Sequence, residues 1–171
     1  MNHKNIIYFP AFHTGTSLSQ MRDSMKYIIN KYNYPIEIYD EYEMGDNSSH
    51  NFFDTLDEVK KYPEIISNIM RLDPERILLM DFFFPGIDTI LYANEIKEKK
   101  IKIGALMHGG SFLPGDLYRW DWLNSLENFW FNAYEVIYVG SEFFRNLIPQ
   151  KYQYKVKANH WGLDGISFPS N

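Results

Sequence analysis

Along this chain, short apolar runs bounded by turn residues alternate with longer segments whose apolar positions recur at helical spacing. "NIIYFPAF" (Asn5 to Phe12) predicts a first strand that breaks at Pro10. Ser17 to Lys31 reads as a helix, opened by a capping box of Ser17 and Gln20. "PIEIYD" (Pro35 to Asp40) is a short second strand, and Glu41 to Asn51 is a polar loop. Asp57 to Leu72 is helical in pattern through Val59, Ile65, Ile66, Ile69 and Met70, with Pro63 either kinking it or marking its true start. "RILLMDFFF" (Arg76 to Phe84) is strand three, and Ile87 to Lys100 is a helix whose closing lysines suit the dipole. "IKIGALM" (Ile101 to Met107) is strand four, followed by a Trp-rich helix from about Tyr118 to Tyr134. "EVIYVG" (Glu135 to Gly140) is strand five, Ser141 caps a short helix, and "KVKANH" (Lys155 to His160) is a sixth strand.

Strands alternating with helices predict an α/β fold: a doubly wound, Rossmann-like parallel sheet, covered on both faces, in one domain over residues 1–171. The expected strand order is 3-2-1-4-5-6, with a binding crevice beyond the carboxyl ends of strands one and four. No internal repeat, low-complexity tract or linker interrupts the pattern.

Composition narrows the partners. A net charge of −5 provides no basic field, which disfavours nucleic acid as a partner. The absence of cysteine excludes disulfides and thiolate metal sites and agrees with a cytoplasmic location. The start, "MNHKNIIYFPAF", lacks the form of a signal peptide, and no apolar run reaches the roughly 18 residues of a membrane span, so a soluble protein is expected.

The chemistry gathers at two strand ends. Strand one runs into "AFHTGTS" (Ala11 to Ser17) and strand four into "MHGGSF" (Met107 to Phe112). Each offers a histidine, glycine backbone and hydroxyls. His108 is the leading candidate. A histidine at a strand end is more often a structural group, but Gly109 and Gly110 directly after it suggest a close approach to the backbone. His13 is a weaker candidate, because its loop position favours solvent. Gly15, Thr16 and Ser17 lead into a helix N-terminus that suits an anion or sugar hydroxyls, although a plain turn and cap explain them equally well. G-x-G-x-x-G is absent, which argues against NAD. His13, Asp81, His108 and Asp116 could converge, yet their spacing matches no compact metal motif, and no metal is expected. "VGSEF" (Val139 to Phe143) is no nucleophile elbow. On the fifth helix, Trp122 falls off the face shared by Trp120, Leu123 and Glu127, so an exposed aromatic is expected there.

From Arg71 onward the chain resembles the N-terminal domain of group 1 (retaining) glycosyltransferases of the GT-B architecture. The segments that carry the likeness are "LDPERILLM" (Leu72 to Met80), "IKIGALMHGG" (Ile101 to Gly110), "YVGSEFFRNLI" (Tyr138 to Ile148) and "KVKANHWGLDGISF" (Lys155 to Phe168). They follow the family's order of a strand after a Pro-Asp turn, a strand ending in histidine, an "SE" helix start and a terminal "NGVD…F". The first loop departs from the usual double glycine, and the terminal turn lacks the family's Pro and Asn at His160 and Trp161.

The resemblance implies transfer of a sugar from a nucleotide-sugar donor to an acceptor, with no cofactor. It makes His108 the crevice histidine that contacts the transferred sugar, and puts Gly15 and Thr16 in the loop facing donor phosphate or acceptor. It also implies a second, nucleotide-sugar-binding domain or subunit as partner, since the family's donor site lies there, and an apolar docking face near "HWGLDG" (His160 to Gly165) open to self-association. This chain alone is then expected to be inactive. The competing expectation is a non-catalytic Rossmann-like module for a glycan, nucleotide or protein. A metal-dependent hydrolase stands third.

Overall fold

The computed structural model describes residues 6–10, 17–39, 56–113 and 121–159. Within them, β1 (Ile6–Phe9), β2 (Ile36–Ile38), β3 (Arg76–Leu79), β4 (Lys102–Met107), β5 (Val136–Val139) and β6 (Val156–Ala158) form one all-parallel sheet. The helices are α1 (Ser17–Lys31), α2 (Leu56–Leu72), α3 (Ile87–Ile96), α4 (Asp121–Ala133) and α5 (Glu142–Leu147), with a 3₁₀ turn at Gln150–Lys155. The Rossmann-like α/β class holds.

The strand order is 2-1-3-4-5-6, close to the expected 3-2-1-4-5-6 but with β3 inserted between β1 and β4. The register accounts for this position. Phe9, Leu79, Ala105, Ile137 and Val156 line up across neighbouring strands, and each is at most 2% exposed. "RILL" belongs inside such a row, because both its faces meet side chains. An edge strand would leave one rim of Ile77 and Leu79 in water.

This row is the floor of the main core. Ile65 and Ile69 of α2, Ile87 and Ile90 of α3, and Leu123 and Phe131 of α4 close over it. The opposite face is different. There Tyr8 and Met80 pack under Ile29 and Met25 of α1, and α1 is the only helix in that cluster among the described residues. Handedness explains the asymmetry. Right-handed crossovers that step toward β6 place α2 to α5 on one face, and only the step back from β1 to β2 places a helix on the other.

Two boundaries differ from the sequence expectation. Pro63 lies inside α2, in a helix that runs unbroken from Leu56 to Leu72. Helix α3 ends at Ile96, short of the lysines. Lys97, Lys99 and Lys100 lie past the helix end and form ion pairs with Asp73, Glu75 and Glu95. Such exposed pairs contribute about 0–1 kcal/mol each. The early stop is set by Asn94, whose buried amide donates to the Ile101 carbonyl and accepts from the Ile101 N–H, both at 2.9 Å. That double bond turns the chain directly into β4.

Replacing Asn94 with alanine strands both Ile101 groups without water. We expect Asn94→Ala to lower stability by about 2–4 kcal/mol, read from urea unfolding, with the cooperativity of the transition unchanged.

Candidate functional site at the carboxyl edge of the sheet

In a doubly wound sheet the crevice opens where the connections diverge. With β3 beside β1, that point falls between β1 and β3. β4, which carries His108, is one strand further along. The residue brought to the switch point is Asp81.

Three consecutive contacts build this edge. The Met80 N–H donates to the Phe9 carbonyl at 2.9 Å, carrying the β1–β3 pairing to the rim. The Met80 carbonyl then accepts from His108 Nε2 at 2.8 Å. A carbonyl only accepts, so this bond places the proton on Nε2. Asp81 follows, its Oδ1 accepting from the Phe83 N–H at 3.0 Å in an Asx turn. Phe82, Phe83 and Phe84 are all buried and anchor the chain behind it. The Tyr134 hydroxyl adds a bond to the Phe82 carbonyl at 2.6 Å.

Burial governs the electrostatics. It pushes the Asp81 carboxyl up to about 7, against a smaller opposing effect of the Phe83 N–H. It also holds His108 below its usual range, with the Met80 carbonyl opposing weakly. At neutral pH the His108 imidazole is uncharged and the Asp81 carboxyl is near its midpoint.

The turn after β4 is clamped from below. Glu127 of α4 is 3% exposed and accepts from the Ser111 N–H at 2.6 Å and from the Ser111 hydroxyl. Phe112 folds back over Gly110, where a Cβ would come within 2.5 Å of its ring. Packing thus accounts for the missing side chain at Gly110. Gly109 has no such explanation: among the glycines of the described residues only Gly86 has a positive φ.

His13, Gly15, Thr16 and Asp116 lie outside the described residues, as do Trp120 and His160 to Gly165. Ser17 is the first residue of α1. Among the described residues no group of three or more His, Asp or Glu side chains is placed to hold a metal ion. Ser141 caps α5 as expected, its hydroxyl oxygen accepting from the Phe144 N–H at 3.1 Å. Trp122 is 54% exposed while Leu123, Glu127 and Trp130 are buried.

Glu127 is the residue that sequence reading missed, and the role of Asp81 was weighed only as a metal ligand. Both had a visible signal: a single carboxylate inside an otherwise apolar pattern, "LLMDFFF" for Asp81 and the Leu123/Trp130 face for Glu127. No protein-family model matches the chain, and no curated protein matches it in sequence.

Two measurements probe this edge. The folded state holds the Asp81 proton to a higher pH than the unfolded chain does, so stability falls as pH rises from about 4 to about 7. Asp81→Asn should flatten that decline and gain up to about 4 kcal/mol at pH 8 relative to the native protein, measured by denaturation across pH. His108 acts in the opposite sense: as pH falls below the ordinary histidine value the unfolded chain takes up a proton that the buried imidazole does not, and stability falls. Separately, Glu127→Ala should cost about 2–3 kcal/mol and speed hydrogen exchange at Ser111, because a buried charge-assisted clamp is removed.

Proposed function

We propose that this chain is the acceptor-side domain of a retaining glycosyltransferase, which moves a sugar from a nucleotide-sugar donor to an acceptor in the cytoplasm. The observation that supports it best is the carboxyl-edge cluster. His108 follows β4, is kept neutral by burial and is fixed by the Met80 carbonyl, with the Asp81 carboxyl next in the chain. The "MHGG" segment that carries the family likeness is thus the segment bonded to the end of β3.

In this reading His108 contacts the transferred sugar, with its ring angle set by Met80. The half-buried Gly109, with no side chain, lets the substrate approach, and Gly110 supports the turn through Phe112. Gly15, Thr16 and Ser17, with His13 nearby, face donor phosphate or acceptor. The nucleotide sugar is the donor substrate; neither a metal nor an organic cofactor enters the scheme. The base, ribose and diphosphate are held by a second domain or subunit. Among the described residues no helix is long and apolar enough to cross a membrane, which fits an acceptor met from the aqueous side.

Two results test the proposal. In the assembled enzyme, His108→Ala should reduce sugar transfer by about 10²-fold or more, whereas transfer within a few-fold of the native rate removes the role assigned to His108. Calorimetric titration of this chain alone with a panel of nucleotide sugars should give binding no tighter than about millimolar. Micromolar binding would place the donor site on this domain instead.

A further inference from the structure

On the face of the sheet that, among the described residues, α1 covers only in part, a cavity of about 500 Å³ runs from the first residues of the strands to Leu106, Tyr138 and Asn159. Its rim is formed by the first residues of successive strands, among them Ile6, Ile36, Arg76 and Lys102. Met25 of α1 lines one side and Tyr138 of β5 the other. Leu78, Gly104 and Leu106 form the floor.

Gly104 shapes this floor. It sits inside β4, in register with Leu78 and Val136. A Cβ there would stand 3.1 Å from Val136 Cγ1 and 3.5 Å from Leu78 Cδ1, so any longer side chain would have to rise into the cavity. Glycine inside a strand costs about 0.5–1 kcal/mol relative to alanine. Where it occurs, it often marks the close approach of a ligand or another backbone.

The rim supplies charge at one end only. Lys102 Nζ lies 3.0 Å from Glu135 Oε1, and both side chains are about half exposed. Arg76 is exposed; the neighbouring carboxylate it acts on, Glu75, is held by Lys99. One cation therefore exceeds the local carboxylate at the mouth of an otherwise apolar recess.

Size and rim charge point to the class of occupant: the volume falls in the range of small-ligand sites, roughly 300–1,000 Å³, and the mouth carries Arg76 and Lys102. We propose that the cavity binds a single-chain anionic amphiphile, with its hydrocarbon on Leu78, Gly104 and Leu106 and its carboxylate or phosphate on Arg76 and Lys102. This site is separate from the crevice that carries the proposed transferase function and stands or falls independently of it.

The test is calorimetric titration of the full chain with sodium decanoate, decyl phosphate and neutral decyl maltoside, each below its micelle-forming concentration. Saturable one-to-one binding of an anionic probe is expected, with the neutral probe weaker. Preference for decanoate identifies a fatty acid as the source of the anion, and preference for decyl phosphate identifies a phosphorylated chain. The surface variant R76E/K102E should bind the preferred anion about tenfold more weakly or worse, with an unchanged melting temperature. Gly104→Leu should abolish binding by filling the recess; if that variant does not fold, the charge variant decides. Equal binding of the neutral probe, unsaturable binding, or full affinity in R76E/K102E overturns the proposal. So does a concentration-dependent dimer of the native chain that the anionic probes leave intact, since a second copy would then be the occupant.

Discussion

The structure depends on one constraint: a parallel sheet must bury a side chain on both sides of every interior strand, and its register fixes which ones. The row of Phe9, Leu79, Ala105, Ile137 and Val156 meets this requirement across five strands. A slip by one residue in any of them would turn its core side chain to the opposite face. β3 occupies the interior of the sheet, where Ile77 and Leu79 are buried in the main core and Leu78 is half-buried on the α1 side. Its position in turn decides where the crevice lies.

From that placement follows the arrangement of chemistry at the carboxyl edge. Met80 ends β3 with its N–H on β1 and its carbonyl on the imidazole that follows β4. Three strands are thereby joined at one residue, and Asp81 emerges from the junction. Its carboxyl lies where water is scarce, and the imidazole nearby is kept neutral for the same reason. The cluster is fixed from behind by aromatic packing and by Tyr134, and from below by Glu127 through Ser111.

The two faces of the sheet carry different burdens. Four helices follow the crossovers toward β6 and close the main core, whereas α1 shelters only part of the other face. Handedness alone produces this imbalance. Among the described residues it leaves a recess along the face beside α1, lined mostly by apolar side chains, with Arg76, Lys102 and Glu135 at one end and Asn159 at the other.

Sequence by itself determined the local elements. The alternation of apolar runs and helical periods is a local property, so all six strands and five helices were legible, and α1 runs from Ser17 to Lys31 as its pattern indicates. The Ser141 cap was legible for the same reason, because a cap bonds residues three apart. The helix end at Ile96 was not, since the lysines mimic a favourable last turn while the true stop is the bond from Asn94 to Ile101 across the loop. His108 stood out from its two glycines, yet its partner Met80 is 28 residues away, and no local pattern announces such a bond. The same holds for Glu127 and Ser111, 16 residues apart. Strand order was decided only by the tertiary structure. β1, β3, β4 and β5 are all apolar enough for the interior, and which of the others lies beside β1 depends on how the rows of side chains close under the helices.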